Sequence, residues 1–269
     1  MSKVVKFFKG LILLIRKPYF INLILKEEGI LAADFKKKFP NLTLQQIDLF
    51  AWPEAQEIQL ELMAFLSGSS LPTDFALLQI LCRKYQVENY FEIGTWRGES
   101  AANVAPFVKQ VHTLNLSDEQ LRNMGCEESY IKAHRTFSDK LSNVNHLFGD
   151  SAVFELAAFE KKMDLIFIDG DHSKEGVRRD TQRMLQLRRN EQSVIVWHDA
   201  KSDTEYPRYD VLQGIFEGLP QQMHANVYLV KHSLCAVYLP EGPAGCAPVL
   251  HEEAQRIFKV KLTQQPFQA

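Results

Sequence analysis

Asp169, His172, His198 and Asp199 are the residues of this chain whose types and spacing best suit chemistry. Each closes or follows an apolar run: Leu165-Ile166-Phe167-Ile168 leads into Asp169-Gly170-Asp171-His172, and Val194-Ile195-Val196-Trp197 leads into His198-Asp199. The spacing of Asp169 and Asp199 fits one strand-helix-strand unit. Neighbouring strands lie about 4.8 Å apart, so pairing of the two runs brings the carboxylates together. Close carboxylates repel and need a counter-charge, which a hard divalent cation with waters in its remaining positions supplies. Mg²⁺ is the expected ion, and coordination by His198 would admit Mn²⁺ or another transition metal. His172 stands at the mouth of the same cleft. An imidazole there is suited to take a proton from a substrate hydroxyl, and a metal on that oxygen eases the proton's release. Two other readings fit the same residues. Asp169-Gly170-Asp171-His172-Ser173 also has the composition of a turn that caps the next helix, and Asp169-Gly170-Asp171 also reads as the D-x-D of a metal-dependent glycosyltransferase.

A second stretch, Tyr90-Phe91-Glu92-Ile93-Gly94-Thr95-Trp96-Arg97-Gly98-Glu99-Ser100, reads as a buried strand that stops at an acid, turns through two glycines and enters a helix. Such a turn at the carboxyl end of a parallel strand is a small-molecule cradle. A pyrophosphate wants a fuller G-x-G-x-x-G and no carboxylate beside it. A ligand with an ammonium group and a ribose fits Glu92 better, which points to S-adenosylmethionine. Other expected strand ends are polar too, at Asn115, suited to ribose hydroxyls, and at Gly149-Asp150-Ser151, where Asp150 suits an adenine amine.

These residues need a sheet to hold them. Apolar strands are expected at Tyr90–Glu92, Val111–Leu116, Val144–Phe148, Asp164–Asp169, Ser193–His198, Val227–Val230 and Cys235–Leu239, alternating with helical patterns up to the closing antiparallel pair. That order predicts an α/β fold, Rossmann-like and doubly wound, with a mostly parallel seven-stranded sheet. Residues 1–70 read as an N-terminal helical extension, 71–240 as the sheet domain and 241–269 as a tail. With 269 residues, 46% of them apolar, the chain can bury a large core. A net charge of -2 offers no general case for nucleic acid. Residues 1–40 nevertheless hold nine Lys/Arg against three acids. The apolar run beginning at Phe7 is interrupted by Arg16-Lys17, short of the roughly 20 residues that span a bilayer. Residues 1–28 therefore read as a basic amphipathic helix, able to touch a membrane surface, pack on a second copy or dock on its own domain. Four cysteines without a C-x-x-C pair suit a reduced, cytoplasmic setting, peripheral to the inner membrane face if that helix binds lipid.

Phe91 to Ser100 resembles the first motif of class I S-adenosylmethionine-dependent methyltransferases, and Leu165 to His172 resembles the fourth-strand motif of the metal-dependent branch. That branch includes catechol and caffeoyl-CoA O-methyltransferases and bacterial sugar O-methyltransferases. The resemblance covers about residues 71–240. It implies Glu92, Gly94, Gly98 and Asp150 as cofactor contacts, in a site completed by Thr95, Ser100, Asn115 and Ser151. Asp169 and Asp199 would hold the metal with His198 beside them, and His172 would be the base. Asn115 stands where the family usually has an acid. The implied activity is O-methylation of a sugar or other small polyol, on a free or glycan-borne acceptor. The rivals are the D-x-D glycosyltransferase and a non-catalytic scaffold on the same fold.

Overall fold

The computed structural model describes residues 2–21, 28–242, 246–248 and 256–264. The chain divides into two compact units, Met1–Leu42 and Thr43–Ala269. In the first, helix α1 (Lys3–Arg16) starts at Ser2, whose hydroxyl accepts the Val5 N–H, and Lys17 closes it by donating its own N–H to Leu13 O. Helix α2 (Glu28–Lys38) ends in three lysines, the charge that suits a helix C-terminus. Part of the basic stretch, residues 22–27, lies outside the described residues.

The second unit is a mixed sheet with nine strands among the described residues: β1 (Gln45–Ile47), β2 (Asn89–Ile93), β3 (Gln110–Asn115), β4 (Val144–Phe148), β5 (Leu165–Ile168), β6 (Val194–Trp197), β7 (Val227–Val230), β8 (Ala236–Tyr238) and β9 (Ala247–Pro248). Their order is β4-β3-β2-β5-β6-β8-β7-β1-β9. The pairs from β4 through β6 are parallel, and β8 enters antiparallel to both β6 and β7. This is the expected Rossmann-like sheet, with the strand order reversing at β2. All residues of β5 and β6 are buried, as strands covered on both faces must be.

Two strands exceed the expected seven. Gln45–Ile47 was expected to be helical and instead pairs in parallel with β7. Ile47, Leu49 and Phe50 are all buried, and a strand followed by a tight turn sinks them better than a helix broken at Trp52-Pro53. The tail returns to the same edge: Ala247–Pro248 pairs antiparallel with β1. Arg256 Nη2 lies 2.7 Å from Asp48 Oδ2, and Phe258 stacks edge-on against Phe50.

Helices cover both faces. On one, α3 (Pro72–Lys84) and α4 (Glu99–Val104) contribute Leu77, Leu78, Leu81 and Val104 to the core formed with β2, β5 and β6. After the short helices α5 (Asp118–Asn123) and α6 (Glu128–Ala133) come α7 (Lys174–Met184) and α8 (Tyr209–Gly218), which pack on one another. Gly214 permits that contact, because a Cβ there would meet Lys174 O and the Val177 side chain. Beneath them the buried Trp197 donates Nε1–H to Thr181 Oγ1 at 2.9 Å. The segment that pins α7 to the sheet is thus the one that ends at His198 and Asp199. The four cysteines are unpaired. Among the described residues no helix is long and apolar enough to cross a membrane.

Candidate active site

The parallel register sets the polar strand ends side by side. One residue past each strand the ladder continues: Gly94 N donates to Leu114 O, Gly149 N to Asn115 O, Asp169 N to Ile93 O and His198 N to Ile168 O. Gly94 and Asp169 therefore face each other across the point where strand order reverses, the usual place for a ligand in such a sheet. Gly94 has φ 99°, and a Cβ on it would run into Asp169 O. The turn after it is clasped from above by residues 135–138, with Arg135 N donating to Trp96 O at 2.8 Å and Phe137 N to Arg97 O at 2.9 Å. Trp96 holds φ 43° and stacks on Tyr130 with ring centroids 4.3 Å apart.

Glu92 has no exposed surface. Its Oε2 accepts from Tyr90 Oη at 2.8 Å and Ser100 Oγ at 2.9 Å, and its Oε1 accepts from Thr113 Oγ1 at 2.7 Å. Thr113 has one hydroxyl proton and gives it to the carboxylate, so Thr95 Oγ1 donates to Thr113 in the short contact between them. Glu92 was expected to hold an ammonium group directly or through water; its carboxylate is bonded by three hydroxyls. It fastens Ser100 and, through Thr113, Thr95, and so shapes the turn from below. Tyr90 and Thr113 were not singled out from the sequence. Their signal was available in the pairing of Glu92 with Thr113 across β2 and β3, which needs the register to be known.

Burial pushes the Glu92 carboxyl up to about 7, although its three hydroxyl partners pull the other way. A carboxyl that holds its proton more tightly when folded favours the fold at low pH. That contribution is complete below the ordinary value of 4.5 and is lost as pH rises to about 7. Glu92→Gln, which keeps the shape and can still bond all three hydroxyls, is expected to flatten this dependence. Its gain over the parent above about pH 8 should be on the order of 3 kcal/mol. Urea unfolding across that range checks it, and parallel pH curves for the two proteins would refute it.

The remaining cofactor candidates separate into frame and surface. The Ser151 hydroxyl donates to Asp180 Oδ1 on α7 at 2.8 Å, and Asp150 Oδ1 accepts the Ala152 N–H at 2.8 Å. Asp180, buried and raised in pKa by that burial, was not singled out in sequence. Gly94, Asn115, Asp150 and Asp169 each keep part of their surface open along these strand ends. They lie at the carboxyl ends of β2, β3, β4 and β5.

On the other side of Gly94 the acids meet. His198 lies between them: Nδ1 is 3.1 Å from Asp169 Oδ1 and 3.5 Å from Asp199 Oδ1, while Nε2 is 3.2 Å from Asp74 Oδ2. Burial opposes its charge, but Asp169, Asp199 and Asp74 outweigh that and hold its pKa well above the ordinary value. When charged it can donate from both nitrogens to these carboxylates. His198 also groups with Asp74 and Cys235, one donor atom from each lying within 4.8 Å of the others. Asp74 caps the start of α3 by accepting the Leu71 N–H. It also accepts from Ser233 Oγ and Leu234 N, which ties α3 to the β7–β8 turn.

A second group of converging donors is Asp169, His172 and Asp199, whose ligand atoms all lie within 4.8 Å of one another. His172 Nδ1 is 3.0 Å from Asp199 Oδ2, and Arg208 Nη1 is 3.6 Å from the same oxygen. Asp199 takes φ 55°, a left-handed conformation that Asp tolerates better than most residues. Asp74, Asp169 and Asp199 carry one more charge than His198 and Arg208 neutralise, so these five groups leave an excess negative charge. Asp171 stands apart from this cluster. Its carboxylate accepts from Ser173 N and Oγ at the start of α7, as a turn acid does, which weighs against the D-x-D reading.

Residues 91–200 match the family described as a methyltransferase domain. They form an S-adenosylmethionine-dependent methyltransferase domain. The matched span opens at the Glu92 strand and closes just past Asp199, so it contains the turn, the strand ends and Asp169, His172 and Asp199. No protein of curated function matches the methyltransferase chain in sequence. Among solved structures it is similar to the O-methyltransferase from Bacillus cereus in complex with S-adenosylhomocysteine, at 19% identity and TM-score 0.42, covering 65% of this chain and 84% of that one. It is also similar to the S-adenosylhomocysteine-bound methyltransferase PaMTH1 of Podospora anserina, at 17% identity and TM-score 0.38, over 64% and 69% of the two chains. A third is phosphoethanolamine N-methyltransferase 1 of Haemonchus contortus, at 18% identity and TM-score 0.34. That match covers 43% of this chain and 23% of the other.

Proposed function

We propose that the methyltransferase domain carries the methyl group of S-adenosylmethionine to a hydroxyl oxygen of a sugar or another small polyol. The observation that carries this reading is the meeting of Asp169, His172 and Asp199 beside the Gly94 turn. In the transfer, the acceptor oxygen forms a bond to the methyl carbon as the carbon–sulfur bond breaks. The bonding pair stays on sulfur, leaving S-adenosylhomocysteine, and the hydroxyl proton must go to a base. His172 donates its Nδ1–H to Asp199, which leaves Nε2 as the acceptor for that proton. Asp199 fixes the tautomer and ring direction, and it stabilises the imidazolium that forms. Asp169, Asp199 and Arg208 give the mouth a polar character suited to a hydroxyl-rich acceptor.

A divalent cation such as Mg²⁺ suits the same position. Asp169 and Asp199 would hold it with His172 in reach, and the excess negative charge of the cluster favours it. Bound there, it would supply Lewis acidity that lowers the pKa of the acceptor hydroxyl. Titration calorimetry of the purified protein with S-adenosylhomocysteine tests the cofactor half of this reading: binding is expected, and none at millimolar ligand would overturn it. For the acceptor, cell extract incubated with labelled cofactor is expected to yield a labelled product heavier by one methylene on a hydroxyl. Activity undiminished in EDTA would remove the metal from the proposal.

A further inference from the structure

Helix α1 carries a feature that methyl transfer does not use. Every residue described in it is exposed or only half-buried, although most are large and apolar. Phe7 is 66% exposed, Phe8 56% and Ile15 74%. At 3.6 residues per turn, Val4, Phe7, Phe8, Leu11, Ile12 and Ile15 fall on one half of the circumference, and Lys3, Lys6, Lys9 and Arg16 on the other. Leu13 alone of the large apolar residues sits among the basic ones. There is no acid anywhere in the helix.

We infer that α1 is a docking helix for an anionic membrane surface, lying in the plane of the bilayer. Its charge selects this occupant. A protein partner would need one face that is greasy and flanks that are acidic, whereas an anionic bilayer offers acyl chains beneath a continuous layer of negative headgroups. The apolar half enters the acyl boundary, and the lysines and Arg16 stay at headgroup level. Fourteen residues of helix rise about 21 Å, short of the roughly 30 Å hydrocarbon core, so the helix lies on the membrane rather than crossing it. Tyr19, 59% exposed just past the helix, adds an aromatic side chain of the kind that favours the interface. The inference is independent of the proposed acceptor, since it rests only on residues of the first unit.

Co-sedimentation of the full chain with vesicles tests it, using phosphatidylcholine alone and phosphatidylcholine mixed with phosphatidylserine. Binding to the mixed vesicles is expected to exceed binding to the neutral ones by about tenfold or more, and to weaken in high salt. Phe8→Glu, in the middle of the apolar half, should abolish it. Lys6→Gln with Lys9→Gln should weaken binding to the mixed vesicles by about tenfold or more. Both variants should bind S-adenosylhomocysteine as the parent does, which shows that the second unit is intact. Equal binding to the two kinds of vesicle, none to either, or full binding by Phe8→Glu would each overturn the inference. So would light scattering that shows an oligomer dissociated by Phe8→Glu in a protein that ignores vesicles, because α1 would then be covered by a second copy.

Discussion

Asp199→Asn is expected to lower kcat by about 10²–10⁴-fold while leaving S-adenosylhomocysteine affinity within about threefold of the parent. Asp199 accepts from His172 on one oxygen and faces His198 on the other, and Arg208 lies beside it. An amide keeps the size but turns one acceptor into a donor, so it opposes a histidine whichever way it is placed. If the amide meets His172, Nδ1 must accept, the proton moves to Nε2, and the ring can no longer take a proton from the substrate. If it meets His198, a buried cation loses part of its compensation, which is costly in its own right. The loss should fall on kcat rather than on cofactor binding, because Asn115 and Asp150 lie along the other strands. Asp169→Asn should behave alike if a cation is held there, and added Mg²⁺ or Mn²⁺ should then fail to restore it. Steady-state kinetics beside calorimetry decides the matter, and an Asp199→Asn enzyme within about threefold of parental kcat would refute the role.

Gly94→Ala is expected to destabilise the second unit by about 3 kcal/mol and to weaken S-adenosylhomocysteine binding more than tenfold. Two effects add. At φ 99° an L side chain is strained whatever space it has, a penalty of about 1 kcal/mol or more. The added methyl also runs into Asp169 O, which is backbone and cannot swing aside, so β2 and β5 must part at their ends, an overpacking cost of about 1–3 kcal/mol. For a unit of this size the midpoint of thermal unfolding should drop by about 10 °C. Because Gly94 and Asp169 lie between the cofactor edge and the acid cluster, kcat should fall as well. Calorimetric unfolding with and without ligand measures both terms, and an unchanged midpoint would contradict the packing described here.

The sheet was legible because its signals are local. Leu165–Ile168 and Val194–Trp197 are continuous apolar runs of strand length with a polar residue at each end, the pattern of a strand covered on both faces. The edge was not legible. Gln45–Ile47 has too few residues to show a period, and it becomes a strand only because β7 lies beside it. The cluster was half legible. The pairing of Asp169 with the end of β6 followed from the spacing, whereas the choice between His172 and His198 did not.

Taken alone, the sequence determined the order of strands and helices from β2 to β8, the polar strand ends, the acids at 169 and 199 and the amphipathic pattern of α1. These are properties of residues near one another along the chain, written in apolar period and turn composition. Tertiary structure decided what those groups do. It enclosed Glu92 among Tyr90, Ser100 and Thr113, and it set Asp74, distant in sequence, against His198. A histidine's role depends on which groups reach its two nitrogens and how much water is left around it. Both are fixed by elements far apart in the chain, so only the packed sheet could set His198 between Asp74 and Asp169 and leave His172 exposed beside Asp199.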